Sequence, residues 1–322
     1  MEIDGGADQA PGARPEQAGA SGRSETRSML PTGIGLWAGF LDRMPAAEAV
    51  AAVRDIEAAG FGTVWLQEYS GVDPFVRAAL YLQATERLTV ALGVATIHAR
   101  DPEAMVAAAA ALHEAFPGRF ALGLGVSHRH LAEARGAKYA RPLGAMREYL
   151  AAMDAAVAGG ALRRTLPPRF LGALGPRMVE LAGAATDGLH TYFCPVEHTA
   201  AARASVGPEP WIAPSQMIAV GRSGPDWRDH VRRYLGLCLG MPNYRQNLQR
   251  FGFSVADLDT ASDALVDAVV VPDEPTALRE RLDAQRAAGA DHIAVQLVPP
   301  PPGPAVLDRV AAGLADTLGA SA

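Results

Sequence analysis

Three ionisable side chains fall just beyond short apolar runs: Glu68 after Thr63–Leu66, His98 after Leu88–Ala95 and His128 after Phe120–Gly125. A carboxylate or imidazole at the end of a buried run is placed to accept or return a proton, and the Glu68 carboxylate could also bind a cofactor hydroxyl. The plain alternatives are a solvated loop charge for Glu68 and a loop or spacer role for either histidine. His128, His130 and Glu133 also form a His-x-His-x-x-Glu spacing that metal chemistry would use. A metal site in a strand–helix protein draws ligands from several strands, so no metal is expected here. A histidine that meets an anionic ligand or a substrate fits the position better.

Glycine-rich stretches occupy neighbouring run ends. Gly93-Val94-Ala95-Thr96-Ile97 offers small side chains against which a flat ring could lie, with backbone N–H and C=O groups free to meet its heteroatoms. Gly123-Leu124-Gly125-Val126-Ser127 puts two glycines and a serine before a turn, where backbone N–H groups suit an anion or a polar tail. Gly175-Pro176-Arg177 reads as a turn into a helix, and a helix N-terminus beside an arginine favours phosphate. Each stretch could equally serve strand–helix packing or ordinary turn chemistry.

The elements that must position these residues are eight apolar runs, each followed by an Ala-rich helical stretch. Expected strands cover 33–37, 63–66, 88–95, 120–125, 169–173, 188–192, 211–220 and 291–298. Asp73-Pro74 and Asp101-Pro102 each supply an N-cap followed by a first-turn proline, and Gly60 and Gly289 stop helices. Strand–helix alternation repeated eight times predicts an α/β fold, a closed (β/α)8 TIM barrel whose chemistry sits at the strand C-termini. A helical insertion over about 225–270 follows the seventh strand and is long for a plain connection. Residues 1–28 read as a disordered tail and 29–322 as one domain.

Composition excludes several classes. A net charge of −6 without a basic cluster argues against nucleic acid, and no apolar stretch reaches the roughly 18–20 residues of a membrane span. Cys194 and Cys238 lie outside any Cys-x-x-Cys pair, which suits a reducing cytoplasm. Lys138 is the only lysine and stands in a polar loop, so Schiff-base chemistry lacks its residue.

Taken in order, Glu57–Leu66, Leu92–Pro102, Pro117–His128, Arg141–Leu143, Met146–Leu150, Leu174–Met178, Asp187-Gly188, Met241–Tyr244 and Gly289–His292 resemble the luciferase-like monooxygenase superfamily. Within it the likeness is to the branch that uses the deazaflavin coenzyme F420. The resemblance implies a cofactor lying across the strand C-termini, with Val94, Ala95 and Thr96 behind the ring. It also implies a non-prolyl cis peptide in that bulge, at Ala95–Thr96 or Val94–Ala95. The ribityl-phosphate tail would follow Gly125, Val126 and Ser127 toward Gly175, Pro176 and Arg177. Where the family commonly has Asp then His after strand 2, this chain has Glu68 then Tyr69, which keeps the carboxylate and loses the imidazole. His98 is then the substitute acid–base candidate and His128 the second.

What the resemblance implies is an oxidoreductase moving a hydride between F420 and a small organic substrate: an alcohol or carbonyl, an imine or an activated C=C bond. FMN in the same place would make it a flavin-dependent monooxygenase. A metal-dependent barrel hydrolase and a cofactor-binding barrel without turnover are the remaining classes. A homodimer is expected from the likeness, and substrate selectivity from the Trp37–Asp42 loop and the Met241–Arg250 insertion.

Overall fold

The computed structural model describes residues 26, 28–69, 71–159, 165–221, 226–299 and 310–314. Strands β1 (Gly33–Trp37), β2 (Thr63–Leu66), β3 (Thr89–Leu92), β4 (Ala95–Thr96), β5 (Phe120–Gly125), β6 (Arg169–Gly172), β7 (Gly188–Thr191), β8 (Trp211–Ala219), β9 (Val270–Pro272) and β10 (His292–Val298) pair in parallel throughout. The order β10-β1-β2-β3-β5-β6-β7-β8, with β10 pairing back onto β8, closes an eight-membered ring. The expected barrel is therefore present.

Helices α1 (Ala46–Ala58), α2 (Pro74–Ala84), α3 (Pro102–Ala115), α4 (Arg129–Ala134), α5 (Pro142–Gly159), α6 (Pro176–Ala185) and α7 (Val196–Val206) connect the strands up to β8. The insertion holds α8 (Trp227–Leu239), α9 (Pro242–Arg250), α10 (Val255–Thr260) and α11 (Asp263–Val269), and α12 (Pro275–Ala287) leads into β10. Asp73 caps α2 by accepting from the Phe75 and Val76 N–H groups, and Asp101 caps α3 through Ala104. The helix expected to close the ring lies largely outside the described residues, as does most of the tail. Thr26, at the tail's end, donates its hydroxyl to Asp187 Oδ1 at 2.6 Å. Among the described residues, no helix is long and apolar enough to cross a membrane.

Two local features depart from expectation. The third strand, read as one run over 88–95, breaks after Leu92 and resumes as the two-residue β4. The cis peptide is Gly93–Val94, upstream of both expected positions. A Cβ on Gly93 would lie 2.8 Å from the Trp65 ring and 2.9 Å from the Trp37 ring, so the break falls on the residue that has none. Second, β9 is an addition: the upper part of β8 pairs with it, beyond Pro214, where β8 parts from β7.

The lower barrel interior is aromatic. Trp65 and Trp211 stack with ring centroids 6.0 Å apart, and Trp37 stacks on His190 at 5.2 Å. Trp65 Nε1 donates to His292 Nε2 at 3.0 Å, so the second nitrogen of His292, 3.2 Å from the Thr32 carbonyl, carries its proton. His190 donates likewise to the Ala213 carbonyl at 2.8 Å, and its buried Nε2 has no partner among the described residues. Burial pushes His190 down to about 3 and His292 down to about 4.

Both imidazoles are thus neutral when folded and titrate near 6.5 once unfolded. Stability is whole above pH 6.5 and is lost as the pH falls below it, because the unfolded chain takes up protons first. Lowering the pH from 7 to 5 should cost about 2 kcal/mol for each histidine, in a window where the carboxylates still contribute little. Urea unfolding at the two pH values measures this, and equal stability would refute it.

Candidate functional site at the barrel mouth

The exits of β2 to β6 bring most of the sequence-predicted residues together. Glu68 follows β2 with its side chain only 3% exposed. One carboxylate oxygen accepts from the Thr96 N–H at 2.7 Å and from Arg100 Nη1 at 3.0 Å, while Arg100 Nη2 lies 3.0 Å from the other. Arg100 also pairs with Asp73 at 2.9 Å and stacks over the Phe75 ring, 4.7 Å from its centroid. Glu68 therefore ties the strand-2 exit to β4, with both of its oxygens engaged.

Val94 forms the crest of the bulge and is half-buried. A Cβ on Gly125 would lie 2.3 Å from Val94 Cγ2, so what this glycine visibly makes room for is the valine. Ala95 and Thr96 pair with Leu124 and Gly125, and the Ile97 N–H donates to the Gly125 carbonyl at 3.0 Å. Burial holds the His98 imidazole below the ordinary value, and the Val126 backbone works in the opposite direction. Ser127 turns the chain with φ of 59°, and Tyr139 donates to its carbonyl at 3.3 Å. His128 follows as the N-cap residue of α4 rather than as part of a loose loop.

The His-x-His-x-x-Glu spacing does not converge on a point. Because α4 is helical, Glu133 pairs with Arg129 at 3.3 Å, while His128 stacks on His130 at 6.1 Å. Among the described residues, no group of three or more His, Cys, Asp and Glu side chains could hold a metal. Burial raises the Cys194 thiol and pushes Cys238 up to about 12, which keeps both protonated and poorly nucleophilic.

On the far side of the mouth, Gly175 is the N-cap of α6, and among the described residues no side chain caps that helix, unlike α2 and α3. Arg250, the last residue of α9, brings its guanidinium to 3.9 Å from where a Gly175 Cβ would stand. An uncapped helix start with a guanidinium beside it fits a phosphate group by dipole and charge. Sequence reasoning found Gly175, Pro176 and Arg177 but missed Arg250, which is 75 residues away from Gly175 along the chain. The flat bulge at Val94 and this anion cradle together fit the ring and tail of a flavin-like group.

Aromatic side chains complete the opening. Tyr192 lies 5.1 Å from Trp37 and 5.8 Å from Tyr244, and Tyr244 lies 5.4 Å from His128. Burial raises both phenols well above their ordinary value, so they are neutral donors. The wall they make, from Trp37 at the floor to His128 at the rim, includes the inserted helix α9. Met241-Pro242-Asn243-Tyr244 was the sequence signal for it.

A luciferase-like monooxygenase profile matches residues 19–292. A Mycobacterium tuberculosis protein named as a coenzyme F420-dependent oxidoreductase is 31% identical over 169 residues, covering 51% of this chain and 46% of the relative. The chain spans about half the length of the curated relatives it matches. Among solved structures, the coenzyme F420-dependent tetrahydromethanopterin reductase of Methanopyrus kandleri superposes with a TM-score of 0.71 at 15% identity, over 88% of this chain and 98% of its own. The oxygenating constituent of 3,6-diketocamphane monooxygenase from Pseudomonas putida, in complex with FMN, gives 0.66 at 14% identity over 88% and 98%. At such identities the two structures speak for the fold.

Proposed function

This chain belongs to the luciferase-like monooxygenase family and is an enzyme of the oxidoreductase kind, and from there we propose that it transfers a hydride between coenzyme F420 and a small organic substrate. The observation that carries the reading is the pairing of a half-buried bulge at Val94 with an uncapped helix start at Gly175 beside Arg250. The first supports a flat ring and the second an anionic tail. When bound, the deazaflavin supplies a two-electron hydride donor or acceptor. A flavin would need the same two supports, and the FMN complex of a structural neighbour keeps that reading open as the alternative.

In this reading the residues divide the work. Val94, Ala95 and Thr96 back the ring, and the Thr96 N–H is held by Glu68, which Arg100 fixes in turn. Glu68 is thus a positioning residue here, since a carboxylate bonded on both oxygens has little freedom to shuttle protons. Gly125, Val126 and Ser127 line the path of the tail through their backbone, and Gly175, Pro176, Arg177 and Arg250 receive its phosphate. His98 and His128, both neutral and half-buried, are the acid–base candidates. Trp37, Tyr192 and Tyr244 exclude water from the reacting atoms.

Titrating the protein with F420 and, separately, with FMN distinguishes the two cofactors, each followed by its own absorbance change. Saturable binding of F420 at micromolar concentration with none of FMN is expected; the reverse result would overturn the assignment. Arg250→Ala should weaken F420 binding by about 10- to 100-fold, the scale of one charge-assisted hydrogen bond. An unchanged dissociation constant would remove Arg250 from the site.

A further inference from the structure

His128 and Asn243 meet across the mouth from elements 115 residues apart in the chain. His128 ends the β5 exit loop, and Asn243 stands on the first turn of α9 in the insertion. His128 Nδ1 and Asn243 Oδ1 are 3.1 Å apart. With its oxygen facing the ring, as here, the carboxamide accepts and the ring nitrogen opposite carries the proton; the turned carboxamide would donate through its nitrogen and reverse the tautomer. A neutral imidazole has one N–H, which leaves Nε2 bare. Tyr244, the next residue on α9, packs its ring 5.4 Å from the imidazole and fixes the plane in which that nitrogen points.

We propose that Asn243 is a positioning residue that locks His128 in the Nδ1–H tautomer, so that Nε2 is the proton acceptor of this mouth. A substrate O–H or N–H proton would pass to Nε2, and the imidazolium so formed keeps its Nδ1–H bond to Asn243. In the reverse direction the same nitrogen returns the proton. The insertion thereby becomes part of the acid–base apparatus as well as a wall. The role rests on the reading of this mouth as a redox site, but the tautomer does not.

The groups facing His128 are consistent with a neutral resting state. Burial lowers its affinity for a proton most, the bond to Asn243 works in the opposite direction, and a charge on His130 would lower it further. Tyr244 faces it from α9, itself held protonated by burial, and the Tyr139 hydroxyl bonds one residue upstream at the Ser127 carbonyl.

The test uses the whole chain labelled with 15N-histidine, the His128 signals being assigned by their loss in His128→Gln. At pH 7.5 Nδ1 should show the shift of a protonated nitrogen and Nε2 that of a bare one; the opposite tautomer overturns the proposal. Asn243→Asp, a near-isosteric change at an exposed position, should raise the His128 pKa by about one unit or more. Asn243→Leu should lower it and mix the tautomers. A pKa that moves in neither variant overturns the proposal as well. With substrate and coenzyme, the acid limb of kcat/KM should move to higher pH in Asn243→Asp by the same interval. Coenzyme binding with the wrong tautomer would sink the dyad alone. The right tautomer in a chain that binds neither F420 nor FMN would sink the redox reading and leave the dyad standing.

Discussion

Arg100→Met is expected to lower stability by about 3–5 kcal/mol, the cost of stranding one member of a buried ion pair. Glu68 is 3% exposed and Arg100 14%, so water cannot replace the missing guanidinium at the carboxylate. After the substitution Glu68 keeps the Thr96 N–H and loses both Arg100 contacts. Glu68→Gln should cost less, about 1–3 kcal/mol, because the amide oxygen still accepts from Thr96. Urea denaturation of the three proteins at pH 8 measures these differences. A loss below about 1 kcal/mol for Arg100→Met would mean that the pair is no strut.

Gly123→Ala is expected to cost about 3 kcal/mol or more. The added Cβ would stand 1.9 Å from the Leu92 carbonyl oxygen and 2.5 Å from the Phe170 ring. A ring can turn aside, but a backbone carbonyl in a closed barrel can move only by shifting β3 against β5. Gly236→Ala is the control. Nothing lies within 4 Å of its added Cβ, and it falls within α8, so stability should rise by about 0.5–1 kcal/mol. Thermal melts would show both, and a Gly123→Ala protein melting with the wild type would contradict the packing described.

The two substitutions also show where reading along the chain succeeds and where it stops. Asp73-Pro74 and Asp101-Pro102 announce their helices because a cap and its helix are adjacent in sequence, and both helices begin where those residues stand. Glu68, His98 and His128 were legible as mouth residues for a related reason, since a strand's end is also the end of its apolar run. The bulge was legible as a bulge, but its place was not: Gly93 breaks the strand because Trp37 and Trp65 press on it from two other strands. Gly125 was legible as a glycine that makes room, and only the folded chain identified Val94 as the occupant.

The alternation of apolar runs with helical stretches by itself determined the barrel and the rim at its strand ends, and the ordered segments from Glu57 to His292 carried the family resemblance. Those signals are local, repeated and set by backbone periodicity. Tertiary structure alone decided the partners: Arg100 on Glu68, Arg250 at the start of α6 and Asn243 on His128. The physical reason is that a hydrogen bond or ion pair depends on distances of about 3 Å, and closing a barrel creates such distances between residues that the chain keeps far apart.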